Sequence, residues 1–353
     1  MITEVVIRNF KSCRDVEVKL ERFTMFVGPN GSGKTSILKA VYFLCNAFYP
    51  EPKEPILGLS RRNIEGSVRQ FRSWGSTENV ELIAGYGGNH FRMIASERSE
   101  STWLDAAFLG LDRVSYAANE GGNWLSWEKL KSRPEPPPFA LLLRLEASKL
   151  VETKVSPRSY SMAADGTGLH VATMNMTLNE PDAWAKLQFD LRQLIPSIRR
   201  IRHTKTDTHN PASLLFDTIG AESLKASEIS EGTLLVLGLL TAIYITKDRA
   251  VLLLDDLDRG LHPKAQADLI GYLRELLKAK PDLQILATTH SPYMLDSMEA
   301  KEVRMTYLRD DGTTACGALT EHPEFQQWKD EMTPGELWSL FGEKWVADTT
   351  AHR

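Results

Sequence analysis

The chain has 353 residues, 42% hydrophobic and 25% charged, the balance of a folded globular protein, so wholesale disorder is excluded. Its 42 basic residues against 46 acidic ones leave a net charge of −4, which rules out a basic nucleic-acid coat but not a local basic groove. The three cysteines, Cys13, Cys45 and Cys316, lie far apart with no C-x-x-C pair, as expected of a reducing cytoplasm.

The length exceeds one ordinary core and points to two lobes, or to one α/β domain carrying a large insertion. The opening residues show no basic-then-apolar leader, and the longest near-apolar stretch, Leu234 to Ile245, is too short to span a bilayer. No membrane role is therefore expected. In chain order, 2–10 and 16–27 are rich in β-branched and aromatic residues and are predicted strands. A glycine cluster follows, then a helix from about Lys34 to Phe48. Strands 79–85 and 90–96 are joined by the turn sequence Tyr86-Gly87-Gly88-Asn89, while 96–101, 119–124 and the proline run 134–138 are expected loops. The pattern is helical over 168–202, clearest from Asp182 to Leu194 and interrupted at Pro196, and a polar, turn-rich stretch occupies 202–213.

The last third is more regular. A helix is predicted over 231–246, a buried strand over 250–254, a helix over 264–279 opening after Pro263, and a strand over 284–288. A hairpin over 303–319 turns on Asp310-Asp311-Gly312. Trp328, Trp338 and Trp345 sit in a helical tail, where packing against the core is the first expectation and partner docking the other. Strand–helix alternation at both ends predicts a mostly parallel α/β core with an inserted helical and β region. The expected division is 1–48 and 225–320 for the core, 49–224 for the insertion, and 321–353 for the tail.

The glycine cluster, Gly28-Pro29-Asn30-Gly31-Ser32-Gly33-Lys34-Thr35, is a complete G-x-x-x-x-G-K-[ST] run between a strand and a helix. Glycines let successive backbone N–H groups face one point, and the helix N-terminus adds partial positive charge. Lys34 suits β/γ-phosphate oxygens and Thr35 a Mg²⁺ ion, so Asn30 to Ser36 are the expected nucleotide contacts.

Two carboxylates, Asp255 and Asp256, end the strand 250–254, at the edge where ligands sit in a parallel sheet. Asp255 is the expected second metal-shell residue, and Asp256 the base that orients or deprotonates water. Asp258 is close enough in sequence to share either role. Ser230 is a good N-cap for the helix after it, and the same Ser230–Gly232 helix start can bind phosphate, including one held by a second subunit. His290, at the end of the strand 284–288 after two threonines, is placed to touch a γ-phosphate.

The order Arg8-Asn9-Phe10-Lys11-Ser12, phosphate loop, Ser230-Glu231-Gly232, Asp255-Asp256, Leu261-His262-Pro263 and Thr288-Thr289-His290-Ser291-Pro292 resembles the ABC-type ATPase head of SMC, RecF and OLD-family proteins. It is most similar to OLD-like (AAA_21/AAA_15-type) ATPases, with Asp165-Gly166-Thr167-Gly168-Leu169 and Leu194-Ile195-Pro196 as a looser match between the two ends. The resemblance implies a homodimer in which Ser230 and Gly232 close on ATP held by the other subunit's Gly28–Thr35, with Lys11 near the nucleotide and a higher assembly left open. Three departures stand out. Asp256 occupies the family's usual glutamate position, so its base is one methylene short. The signature reads Ser-Glu-Gly-Thr, and none of Gln70, Gln188 or Gln193 is clearly the sensor glutamine.

No sustained heptads lie between Thr35 and Ser230, so no long coiled coil is expected, and no acidic TOPRIM-type cluster follows His290. The resemblance then implies a stand-alone ATPase that controls a separately encoded effector, a nuclease or TOPRIM-like protein, in prokaryotic anti-phage defence. Arg199-Arg200-Ile201-Arg202-His203-Thr204-Lys205 and the cluster Arg61, Arg62, Arg69 and Arg72 offer nucleic-acid phosphate contacts; both read equally well as solvated ends. The alternatives are a RecF-like DNA-repair ATPase and an ATP-gated scaffold with little turnover. A transporter motor is disfavoured by Arg8–Ser12 and Leu261-His262-Pro263.

Overall fold

The computed structural model describes residues 1–46, 72–73, 75–98, 101–109, 115–116, 137–153, 162–204, 213–246 and 249–350. Its central sheet runs, edge to edge, β15 (Thr314–Ala318), β14 (Val303–Leu308), β3 (Phe23–Val27), β13 (Gln284–Thr288), β12 (Ala250–Leu254) and β8 (Phe139–Leu143). All its pairings are parallel except β14 with β15. Every residue of β3, β12 and β13 is buried, which requires cover on both faces. The strand period of two divides those residues between two cores. Leu252, Leu254, Ile285 and Ala287 join one cluster, Val251, Leu253 and Leu286 the other.

The second cluster is closed by α1 (Lys34–Asn46) and by an antiparallel sheet in the order β2 (Cys13–Lys19), β1 (Ile2–Phe10), β4 (Val80–Tyr86), β5 (Asn89–Arg98), β6 (Ser101–Leu109), β7 (Ser115–Tyr116). Beyond β8 come the short α2 (Ala147–Leu150), α3 (Leu169–Asn179) and α4 (Pro181–Leu194). A small antiparallel sheet follows, of β9 (Ile198–Thr204), β10 (Ser213–Thr218) and β11 (Ala221–Lys225). The first cluster takes in residues of α3, α4, α5 (Glu231–Ile245) and α6 (Pro263–Ala279). The stretch 49–224 thus supplies β4–β7 to one sheet and β8 to the central one. After β13 come α7 (Pro292–Leu295) and the tail helices α8 (Phe325–Trp328), α9 (Pro334–Phe341) and α10 (Trp345–Thr350). Trp328, Trp338 and Trp345 pack partly buried on the first cluster, so they are packing residues.

Four local expectations are corrected. The stretch 16–27 is two strands in different sheets, and its burial changes at the break. Val16 and Val18 alternate with exposed residues, as does Leu20 just beyond β2, whereas Phe23–Val27 is continuously buried. Residues 198–202 are strand rather than helix: Ile198 and Ile201 are three apart, as on a helix face, but pairing with β10 decides the outcome. β5 runs on to Arg98 and β6 starts at Ser101, both inside the expected loop at 96–101, and the polar stretch 202–213 starts inside β9. Strands β6, β7, β8, β10 and β11 were not expected; Phe139–Leu143 is a short apolar run with no period to identify it. The expected loop at 119–124 lies outside the described residues, as does most of the proline run. Among the described residues no helix is long and apolar enough to cross a membrane.

Candidate functional site

Parallel strands bring their C-terminal ends to one edge, and that edge holds the phosphate loop after β3, Asp255 after β12 and His290 after β13. In the loop Gly28, Gly31 and Gly33 have φ of 145°, 79° and 102°. A Cβ on Gly28 would collide with Thr306 O of β14, and one on Gly33 with Thr314 Oγ1 of β15. The hairpin β14–β15 is therefore the floor on which the loop lies, and only glycine lets the backbone sit so close. Ser32 Oγ lies 2.6 Å from Thr306 Oγ1, which donates to Val27 O at 3.0 Å. Pro29, Asn30 and Gly31 form the exposed lip.

Lys34 is 5% exposed and its Nζ donates to Gly28 O at 2.7 Å and Pro29 O at 2.9 Å. Burial lowers its pKa, while Asp256, Asp255 and the tail residue Glu343 push it back up. Thr35 Oγ1 donates to Asp255 at 2.9 Å and 3.1 Å, and Ser36 follows, half-buried, in the first turn of α1. Lys11 sits in the β1–β2 turn at φ 54°, half-buried, its pKa lowered by burial and by nearby Lys39. The turn reaches the loop through one residue: Thr314 donates its N–H to Ser12 O at 2.7 Å and its hydroxyl to Ser12 Oγ at 2.8 Å, and it is also the floor under Gly33.

The Asp255 carboxylate also accepts from Thr288 Oγ1 at 2.9 Å, and that same hydroxyl accepts from the Asp256 amide at 2.8 Å. Asp256 has φ 57°, the left-handed region that aspartate tolerates better than most residues, and is half-exposed. Asp258 is otherwise engaged: its Oδ1 accepts from Thr289 Oγ1 at 2.8 Å and from the His290 amide at 3.1 Å. His290 itself is exposed at the strand tip. Ser230 caps α5, accepting from the Thr233 amide at 3.4 Å, and is exposed with Glu231. Gly232 is buried because a Cβ there would meet Gly260 O at 2.5 Å. Ser230 and Gly232 thus pack within the helix and on the 260–261 loop, not on Gly28–Thr35.

Thr288 and Thr289 were read in sequence only as part of the motif around His290, and Thr306, Thr314 and Arg144 were not read at all. Thr306 and Thr314 carried no local signal, since only the fold puts them under the glycines. Gln188 accepts from the Ile201 amide at 2.9 Å, and Gln193 is exposed on α4; Gln70 lies outside the described residues. Arg202 donates to Asp217 at 3.0 Å and 2.7 Å, while Arg199 and Arg200 are exposed. Lys205, Arg61, Arg62 and Arg69 lie outside the described residues, and Arg72 bridges to Phe10.

The donor set suits a nucleotide phosphate chain with Mg²⁺. One hydroxyl and one carboxylate converge, the pair that would hold Mg²⁺ with phosphate and water completing its shell. Among the described residues no group of three or more His, Cys, Asp or Glu forms a metal cage.

Residues 174–296 match the AAA_21 family model, described as "AAA domain, putative AbiEii toxin, Type IV TA system", and residues 1–86 match AAA_15, "AAA ATPase domain". The chain is 25% identical over 211 residues to the DNA replication and repair protein RecF of Yersinia pseudotuberculosis, covering 58% of this chain and 47% of that one. It therefore spans about half the length of such relatives. It is 42% identical over 90 residues to the Septu protein PtuA of Bacillus thuringiensis, covering 25% of this chain and 22% of that one. An Smc head bound to the C-winged helix domain of ScpA superposes with a TM-score of 0.62 at 16% identity, covering 92% of this chain and 99% of that one. The Smc head of Pyrococcus furiosus with an extended coiled coil gives 0.57 at 12%, covering 94% and 99%. In motif order, in the parallel sheet that gathers the motifs on one edge and in these likenesses, the chain resembles the SMC/RecF/OLD-like ABC-class ATPase heads.

Proposed function

We propose that the chain binds Mg·ATP between two copies of itself, hydrolyses it slowly, and uses the cycle to control a separately encoded effector, a nuclease, in prokaryotic anti-phage defence. The observation that carries the ATPase part is the direct meeting of Thr35 and Asp255, at 2.9 Å, from opposite ends of the chain. Mg²⁺, when bound there, supplies positive charge to the β- and γ-phosphate oxygens. Lys34 exchanges the carbonyls of Gly28 and Pro29 for phosphate oxygens, and the amides of the loop and the first turn of α1 hold the rest. Asp256 is the base that orients water. Its amide is fixed by Thr288 while its carboxylate has no hydrogen-bond partner among the described residues, whereas Asp258 is bonded to Thr289 and His290. His290 faces the γ-phosphate from the neighbouring strand tip. The exposed start of α5, with Ser230 and Gly232, serves the nucleotide of the second copy. The defence role and effector rest on the motif resemblance and the PtuA likeness.

Lys34→Ala is expected to abolish ATP binding, and unchanged nucleotide affinity would overturn the site. Asp256→Asn should keep binding but lower turnover by about 10²–10⁴-fold, with Asp258→Asn falling much less. Mixing Lys34→Ala with Ser230→Ala protein should restore turnover that neither has alone, because one mixed site is intact; no recovery argues against shared sites. The second reading, a DNA-repair ATPase, is favoured by the RecF likeness over 211 residues. Preferential binding of gapped DNA without any partner protein would select it.

A further inference from the structure

We infer that Arg144 is a γ-phosphate contact of this site, the cation that distinguishes ATP from ADP; this rests on the ATP reading above. Arg144 directly follows β8, where Leu143 is in register with Leu254 and Leu143 O accepts from the Asp255 amide at 2.9 Å. It therefore emerges level with Asp255, on the edge where the strand tips meet the ligand. Its Nε lies 3.8 Å from Asp255 Oδ2, beyond hydrogen-bond reach. The Asp255 side chain is 1% exposed and already held by Thr35 and Thr288, so it needs no guanidinium to stay in place. The Arg144 side chain is 56% exposed and free to turn toward a phosphate arriving beside the carboxylate.

The backbone beneath it is fixed. The Arg144 amide donates to Ala164 O and the Glu146 amide to Asp165 O, both at 2.9 Å. The turn supplying those carbonyls is closed by the Thr167 amide on Asp165 Oδ1 at 2.9 Å, and Gly166, at φ 98°, leaves room for Leu150. Asp165-Gly166-Thr167-Gly168 is thus a brace for the β8 tip. Of the nearby cations, Lys34 belongs to the loop, and Arg259 lies 3.5 Å from Glu231. A guanidinium fork matches the oxygens of a terminal phosphate, and the Gln188 side chain is already engaged by the Ile201 amide.

The test compares Mg²⁺-dependent affinities for ADP and the non-hydrolysable analogue AMP-PNP by calorimetry. Wild-type protein that binds neither nucleotide defeats the ATP reading itself, whatever Arg144 does. Given wild-type binding, Arg144→Ala should weaken AMP-PNP about tenfold, the scale of one charge-assisted contact, and leave ADP within about twofold. Turnover should fall by about 10³-fold, with Arg144→Lys between the two. An unchanged AMP-PNP affinity, or an equal loss for both nucleotides, overturns the assignment; the second is the signature of a residue acting only through Asp255. Arg144→Gln, which keeps most of the stem, should show the same split and guards against a misfolded alanine variant.

Discussion

The strand-tip edge and the start of α5 are built on opposite plans. At the strand tips the polar groups are laced to each other: Thr35 and Thr288 to Asp255, Thr288 to the Asp256 amide, Asp258 to Thr289 and His290, Ser32 to Thr306. At the start of α5, Ser230 bonds among the described residues only within its own helix, and it is exposed. The first region holds its shape from within one chain. The second is equally well formed but presents its helix N-terminus outward, the arrangement a second molecule can use.

This contrast can be broken by substitution. Gly33→Ala should be the most damaging of three, because φ 102° and the collision with Thr314 act together. A cost of about 2–5 kcal/mol and loss of nucleotide binding are expected, read by thermal melting and calorimetry. Gly31→Ala, at φ 79° in open space, should cost only about 1–2 kcal/mol, and equal costs would mean that the floor under the loop does not matter. Ser230→Ala removes one cap and should cost about 1 kcal/mol of stability. It should spare ATP binding at low protein concentration while lowering turnover at high concentration; equal effects at all concentrations would place the α5 start within a single-chain site.

The smallest effect concerns the lobe that leads into α5. His203 on β9 packs against Trp184 at 5.4 Å, and burial, with His170 nearby, pushes its pKa down from 6.5 to about 4. The unfolded chain binds the proton first, so stability present above pH 6.5 should decline as pH falls from 6.5 toward 4. Trp184 fluorescence against pH should follow this decline, and His203→Gln should flatten it. A profile unchanged in the variant would remove His203 from the account.

The legibility of the site in sequence follows how local each constraint is. Gly28–Thr35 could be read because strand, turn chemistry and helix start are consecutive, and Asp255 because a buried strand ends in a carboxylate. Strand β8 could not be identified, since five apolar residues carry no period, and with it Arg144 was missed. Thr306 and Thr314 are ordinary β-residues until a hairpin lies under two glycines. The different hydrogen bonding of Asp256 and Asp258 depends on residues some thirty positions away.

By itself the sequence determined the phosphate loop, the acidic strand end, the capped start of α5 and the alternation that makes a parallel core. These are short-range consequences of backbone freedom, side-chain chemistry and hydrophobic period. Only the tertiary structure decided which side chains share a carboxylate, what supports the glycines and which cation stands beside Asp255. Those contacts join residues tens to hundreds of positions apart, and packing of the sheets, rather than any local preference, brings them within bonding distance.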